Sequence, residues 1–482
     1  MIDFRPILQV SGWLLCVLAA AMLVPAGLDA ATGDPEWRVF LGSAGGTLLV
    51  GMALVLGTRA EWHGLTVRQA YLATTVAWLV PIPFAALPFI FGPLDLSVSD
   101  AVFESASGIT TTGSTVIAGL DRLPRGMLLW RGLLQWLGGI GIIVMALAVL
   151  PVLNIGGMQM FRIEMVSPSE RAAPRAARIG VGIIGVYGGL TVLLAVLLWL
   201  AGMSGFDAVV HAMSTIATGG FSNYDTSIAH FDDMTIETII LGGMVLGGMP
   251  FLLFFHLAQG NWRTVTRDQQ VHWYLTLLVL GTLAVAAWMV RSLGEDPGTA
   301  LRQAAFTVAS VMTGTGLVTV DYSDWVGMPV AILFFLTFVG GCAGSTAAGI
   351  KVFRLQFLFA NALVQVRHLL RPHAVLIPTF NRKAIPEDVL ESVMGFLFVY
   401  VLGFACLAMA LAFLGLDFVT AISGAAAAIS NVGPGLGPTI GPDSTFAPLP
   451  ALAKWLLAGG MVFGRLEMFT ILVLFVPSFW RQ

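Results

Sequence analysis

The chain is 482 residues long, 57% hydrophobic and only 11% charged, with a formal net charge of -3. Soluble globular chains carry roughly 25% charged residues, so the composition excludes an ordinary soluble protein and predicts an all-α polytopic membrane protein. With no basic arm or acidic tail, it also leaves no nucleic-acid partner.

In chain order, apolar stretches near the ~20 residues that a bilayer crossing requires lie at about 8–27, 39–57, 72–92, 132–152, 179–202, 238–258, 273–290, 327–361, 392–414 and 451–478. The first is long for a secretory signal and only Arg5, offset by Asp3, precedes it, so it reads as a retained helix. With the second it forms a pair of extra N-terminal helices over 1–60. Cys16, Cys342 and Cys406 stand far apart in apolar segments and predict neither a disulfide framework nor a metal cluster.

Charge alternates between the connections. Arg59, Arg68, Arg162, Arg171, Arg175, Arg178, Arg263, Arg267, Lys351, Arg354, Arg367, Arg371, Arg382 and Lys383 fall in every second one. Asp225, Asp232, Asp233, Asp321, Asp324 and Asp443 fall in those between. The positive-inside tendency makes the basic connections cytoplasmic and the others outward.

Before four of the spans sits a segment too short to cross, near 100–112, 207–219, 303–315 and 420–432. Each holds Ile or Met four residues before a glycine: Ile109 and Gly113, Ile216 and Gly220, Met312 and Gly316, Ile429 and Gly433. Upstream stand Asp100-Ala101, Asp207-Ala208, Gln303-Ala304 and Thr420-Ala421; downstream, in the next span, Gly138-Gly139, Gly247-Gly248, Gly340-Gly341 and Gly459-Gly460. Self-similarity of this kind predicts four parallel span, short helix, turn, span units, at 61–165, 166–265, 266–375 and 376–482.

The aligned turns are Thr110-Thr111-Thr112-Gly113, Ala217-Thr218-Gly219-Gly220, Thr313-Gly314-Thr315-Gly316 and Ser430-Asn431-Val432-Gly433, with filter segments near 110–114, 217–221, 313–317 and 430–434. None contains a charged residue or histidine. Irregular backbone at membrane depth must be buried in protein or line water, and carbonyls facing a common axis suit a dehydrated monovalent cation; a divalent-selective pore would carry a carboxylate ring. Asp100 and Asp207 are expected N-caps of the short helices, whose negative ends would then point at the axis. The other reading of the hydroxyls is that they hydrogen-bond backbone within the turns. Glu104 and His211, on the short helices, are expected to hydrogen-bond behind the turns.

Together "ITTTGSTV", "ATGGFSNYD", "MTGTGLVTVDYSDW", "SNVGPGLGP", "GGCAGSTAAGIKVFR" and "GRLEMFT" resemble, in order and over nearly the whole chain, the TrkH family of bacterial potassium-uptake proteins within the Trk/Ktr/HKT superfamily. The resemblance implies four parallel M1-P-M2, K+-channel-like repeats around one pore, plus the two extra N-terminal transmembrane helices. It implies K+ at the filter residues, with Rb+ and Na+ as further candidate ions, a homodimer, and a cytosolic TrkA-type nucleotide-binding regulatory subunit. The implied location is the bacterial cytoplasmic (inner) membrane, in contact with lipid.

Two intramembrane features keep alternatives open. Gly340, Gly341, Cys342, Ala343, Gly344, Ser345, Thr346 and Ala347, within the small-residue stretch 340–349, should loosen a helix. They form either a close-packing seam or, as the resemblance implies, a gate loop beneath the filter. Arg465, costly in mid-membrane, either pairs with Glu467 or, as in the family, projects into the pore as a barrier to cations. No GxxxxGK[ST] loop occurs, so nucleotide acts only through a partner, and no cofactor is expected. The seven histidines lack ligand spacing, which argues against an enzyme. The alternative within transport is an alternating-access symporter coupled to H+ or Na+.

Overall fold

In hydrocarbon a backbone amide must find its partner within its own segment, so long apolar runs form helices. The structure, a computed structural model, describes residues 3–58, 66–145, 157, 172–323, 325–381 and 383–481, without the side chains of 172–179. Arg59, Arg162, Arg171, Asp324 and Arg382, and most of the basic connection 152–178, lie outside the described residues.

Among the described residues, seven helical segments are long and apolar enough to cross a bilayer, and two further helix pairs pass the same test across sharp bends. Helices α1 (Arg5–Thr32) and α2 (Trp37–Gly57) pack closely: a β-carbon on Gly12 would lie 2.8 Å from Gly51 O. α3 (Val67–Leu79) leads to the first short helix, α4 (Val98–Ile109), which is followed by α5 (Arg125–Val144). Asp29 of α1 accepts from Gly126 N at 2.7 Å, tying the N-terminal pair to the start of α5. α6 (Ala172–Leu200), the short α7 (Gly205–Ile216), α8 (Met234–Gly247) and α9 (Phe251–Ala258) follow. Next come α10 (Gln269–Trp288), the short α11 (Pro297–Thr313), α12 (Met328–Val339) and α13 (Val352–Leu370). The chain closes with α14 (Glu387–Phe413), the short α15 (Phe418–Ser430), α16 (Ala451–Arg465) and α17 (Phe469–Leu472). A two-residue ladder, Thr379–Phe380 on Lys383–Ala384, is the only strand pairing among the described residues.

Three stretches expected to be single spans are broken. α8 and α9 meet at 98° around Pro250, whose ring cannot donate to a continuing helix. α16 and α17 meet at 103° where Glu467 takes φ 54. α12 and α13 are separated by residues 340–351, the chain leaving α12 at Gly340 with φ 74.

The short helices begin on side-chain caps, with one correction. Ser97 and Ser204, not Asp100 and Asp207, are the N-caps of α4 and α7. The two aspartates sit at the third helical position, where each carboxylate accepts the capping serine hydroxyl at 2.6 Å. α11 and α15 are capped by Asp296 and Asp417 directly. All four thus carry a carboxylate in or beside the first turn, where the helix dipole favours it.

Lys351 and Arg354, expected in a cytoplasmic loop, are also placed differently. Lys351 donates to Ala347 O, and Arg354 is buried at the start of α13.

Candidate functional site

The four turns share one backbone conformation. Two residues before each aligned glycine the chain is left-handed: Thr111 (φ 52), Thr218 (φ 50), Gly314 (φ 72) and Asn431 (φ 52). The aligned glycines follow at φ 88 (Gly113), 87 (Gly220), 76 (Gly316) and 98 (Gly433). The residue between donates its N–H back into its own short helix: Thr112 to Ser107 O, Gly219 to Ser214 O, Thr315 to Ser310 O and Val432 to Ala427 O, at 2.8 to 3.0 Å. Only glycine takes the last position without steric cost, and β-branched Thr111 and Thr218 in the left-handed region are strained.

The turns close into a ring. A β-carbon on Gly113 would overlap Gly219 O, one on Gly220 would overlap Thr315 O, and one on Gly316 would overlap Val432 O, each inside the 3.0 Å that real side chains respect. One on Gly433 would stand 2.9 Å from Thr112 O, returning to the first turn. A cavity of about 210 Å3 lies over the ring, bordered by all four glycines and by Asp225 and Asp443.

Side chains brace the ring from behind. Asn431 Nδ2 donates to Thr112 Oγ1 at 2.8 Å, and Thr110 Oγ1 donates to Ala106 O at 2.6 Å. The 2.7 Å contact between the two hydroxyls therefore runs from Thr112 to Thr110, since each hydroxyl has one proton. Thr313 and Thr315 repeat this pairing at 2.6 Å, ending on Ala309 O. Thr218 donates to Ala217 O, and Ser430 pairs with Tyr400. Thr110, Thr218 and Thr313 thus bond backbone carbonyls, whereas the buried Thr111 hydroxyl meets no partner among the described residues.

Gln135 of α5 reaches across to the second turn, donating to Gly219 O at 2.6 Å and accepting from Phe221 N at 3.1 Å. Glu104 accepts from Val116 N at 3.0 Å and pairs with Arg131 at 2.9 Å, whose guanidinium also donates to Ser222 O. His211 lies between Asp207 O and Ser222 Oγ. Both expected residues therefore act behind the turns.

Glycines also seat the following spans against the turns. A β-carbon on Gly138 would overlap Ile109 O, and one on Gly247 would approach Ile216 O at 3.2 Å. After the fourth turn the glycine that meets Ile429 O is Gly464, whereas among the described residues nothing lies within 4 Å of a β-carbon on Gly459. The expected pairing of Gly459-Gly460 is thus displaced toward Gly464-Arg465, because the connection after the fourth turn is longer.

The stretch 340–349 is a loop, which removes the helix-packing seam. Its ends are pinned by Ile350 N to Phe338 O (2.9 Å) and Lys351 N to Val339 O (3.0 Å). The loop reaches the break between α8 and α9: Cys342 N donates to Gly248 O at 2.9 Å, Phe251 N to Gly344 O at 3.0 Å, and Thr346 Oγ1 to Gly247 O and Ile216 O at 3.0 Å. Ile216 ends α7, so the loop lies at the foot of the second turn.

Arg465 ends α16 buried, and Glu467 is not its partner. Glu467 bonds Arg354 at 2.6 Å instead. Nε and Nη2 of Arg465 meet no hydrogen-bond partner among the described residues, and its guanidinium stands 6.0 Å from the Trp78 ring. Arg131, Gln135 and Arg354 were missed from sequence; the available signal was a strongly polar side chain within an apolar run. Among the described residues no group of His, Cys, Asp or Glu could hold a metal, and all three cysteines are free.

Residues 44–482 match the TrkH family, described as cation transport proteins. The Trk system potassium uptake protein TrkI of Halomonas elongata is 44% identical over 99% of this chain and 97% of its own length. TrkH of Salmonella typhimurium is 39% identical over 99% of this chain and all of its own. The crystal structure of the potassium transporter TrkH from Vibrio parahaemolyticus superposes with a TM-score of 0.91 at 36% identity, each chain covered in full. These transporters are not enzymes, and this multi-pass membrane chain belongs to the TrkH family of cation transport proteins.

Proposed function

We propose that the chain carries K+ into a bacterial cell through a gated, channel-like pore whose selectivity filter is the ring of four turns. The observation that carries this reading is the single cavity bordered by Gly113, Gly220, Gly316 and Gly433. Alternating backbone handedness leaves N–H groups on one edge of a turn and C=O groups on the other. In all four turns the middle N–H faces its own short helix, which supports a carbonyl edge turned toward the axis; Gly219 O and Gly433 O also accept from Gln135 and Ser114. The carbonyl ends of four helices add about half a negative charge each. With no carboxylate in the turns, the site suits a monovalent ion, and the relatives are named for potassium.

The filter comprises Thr110 to Gly113, Ala217 to Gly220, Thr313 to Gly316 and Ser430 to Gly433, within units bounded as the sequence divides them. The loop 340–349 is the gate, and Arg465, with unmatched donors, is the fixed positive barrier. The ring faces outward in the cytoplasmic membrane, and the basic face receives a TrkA-type regulator on a homodimer.

Rb+ influx into liposomes holding the purified protein tests this. Fast uptake, competed by K+ more than by Na+, is expected. Slow, saturating exchange that requires an H+ or Na+ gradient would replace the pore with an alternating-access symporter.

A further inference from the structure

Away from the ring, a slot of about 460 Å3 opens between α1, α3 and α5. Val10, Leu14, Ala73, Trp78, Leu137 and Gly141 line it with carbon. Its polar groups are spoken for: the Thr74 hydroxyl donates to Ala70 O at 2.7 Å, and Trp78 Nε1 donates to the Met145 sulfur at 3.3 Å. A water needs 2–4 polar partners, and even an apolar cavity of about 150 Å3 stays dry and takes up a hydrocarbon.

The slot's length selects among apolar occupants. Along α5 it runs from Leu134 to Met145, and at about 1.5 Å per residue that is roughly 16 Å. One leaflet is half of a hydrocarbon core about 30 Å thick. At one end lie Pro81, Ile109 and Leu134, all buried, at the foot of the first turn; at the other lie Val10 and Ala70, half-buried, near the starts of α1 and α3, and Val17 and Val144 on its flank are exposed. These starts are joined by Gln69 Nε2 donating to Asp3 O at 2.9 Å. Arg5 is exposed there, and so is Arg481, two residues beyond Phe479, which packs on Tyr71.

We propose that this slot binds one acyl chain of an anionic phospholipid from the leaflet on the side where α1 begins, with the headgroup phosphate at Arg5 and Arg481. The chain end then rests on Ile109, the residue before the first turn. On its other side Trp78 faces Arg465.

The test uses full-length protein in vesicles of phosphatidylglycerol carrying a photoreactive diazirine in one acyl chain, with adducts mapped by mass spectrometry. Adducts should concentrate severalfold on the slot residues of α3 and α5 over the exposed faces holding Val181 and Phe413. Among the described residues a β-carbon on Gly141 meets only the Trp78 ring, at 3.7 Å, so Ala77→Leu with Gly141→Leu fills the slot and should remove those adducts while labelling elsewhere persists. Gly141→Leu alone serves if the double variant does not fold. Even labelling of all lipid-facing helices, or slot labelling that survives filling, overturns the site. Equal labelling from phosphatidylcholine overturns the anionic headgroup.

Discussion

Replacing Gly113 by alanine adds one methyl group inside the ring, and its effect divides into two costs. At φ 88 the residue is left-handed, which costs a non-glycine residue about 1–2 kcal/mol. The methyl would also overlap Gly219 O, an atom that cannot retreat freely because it accepts Gln135 Nε2 at 2.6 Å. Forcing extra volume into a packed interior costs about 1–3 kcal/mol. The sum, about 2–5 kcal/mol, falls below the 5–15 kcal/mol typical of a folded protein, so the variant should fold with its first turn displaced. Gly119→Ala supplies the control: φ is 76, yet among the described residues nothing lies within 4 Å of its β-carbon, so only the first cost applies. Thermal melts in detergent and Rb+ uptake with K+ or Na+ competitor would be measured for both. Gly119→Ala should melt somewhat lower and discriminate normally, whereas Gly113→Ala should melt lower still and lose preference for K+. Of the four ring glycines Gly433, with its nearest carbonyl at 2.9 Å, should tolerate alanine best. If Gly113→Ala transports and discriminates as Gly119→Ala does, the ring is not the filter.

Arg465→Met keeps a long side chain and removes the charge; Rb+ flux should rise roughly tenfold, equivalent to about 1.4 kcal/mol off the barrier, and unchanged flux would argue that the guanidinium does not face the ion path. Glu467→Gln leaves Arg354 buried without its carboxylate and should cost about 3–5 kcal/mol in unfolding measurements, with Glu467→Gln/Arg354→Met less damaging than the single change. Deleting residues 342–347 removes the loop's bonds to Gly247, Gly248 and Ile216 and should raise flux in the absence of any regulator; a folded deletion with resting flux would sink the gate. Burial and the neighbouring Asp321 raise the Asp443 carboxyl above its usual 3.8. It therefore takes up its proton above the usual carboxylate range as pH falls, which removes negative charge from the cavity over the ring, and uptake should decline there, a decline that Asp443→Asn should abolish.

How much of this was legible in sequence depends on how far each cause lies from its effect. The turn glycines could be read because a positive φ is a demand of one residue on itself, and the spans could be read from hydropathy alone. Gly464 was not distinguishable from Gly459, since what selects it is Ile429 O, a backbone atom exposing no residue type. Ser97 was overlooked beside Asp100 because both residue types cap helices, and only the helix start decides between them. Glu467 found its partner 113 residues away at Arg354, a pairing that nearness to Arg465 disguised. The strain at Thr111 and Thr218 was hidden for another reason: the third and fourth turns place Gly314 and Asn431 there, residues suited to the conformation, and the first two do not.

On the proposed function, a gate must open beneath a filter that keeps its shape. The ring is held through contacts that run from turn to turn: Asn431 to Thr112, Ser114 Oγ to Gly433 O at 2.7 Å, and Gln135 to Gly219. Moving one turn therefore strains its neighbours, and the unit resists as a whole. The loop 340–349 meets the second unit through hydrogen bonds from Cys342, Thr346 and Phe251, each worth about 1 kcal/mol net and replaceable by water in a hydrated path. Its exit, though, runs into α13, where Arg354 is fastened to Glu467 at the 103° break in the fourth unit. On the proposed function, a regulator pulling on α13 would draw the loop aside through a lever anchored by that ion pair, and the ring, braced from turn to turn, would keep its geometry while the path below it opened.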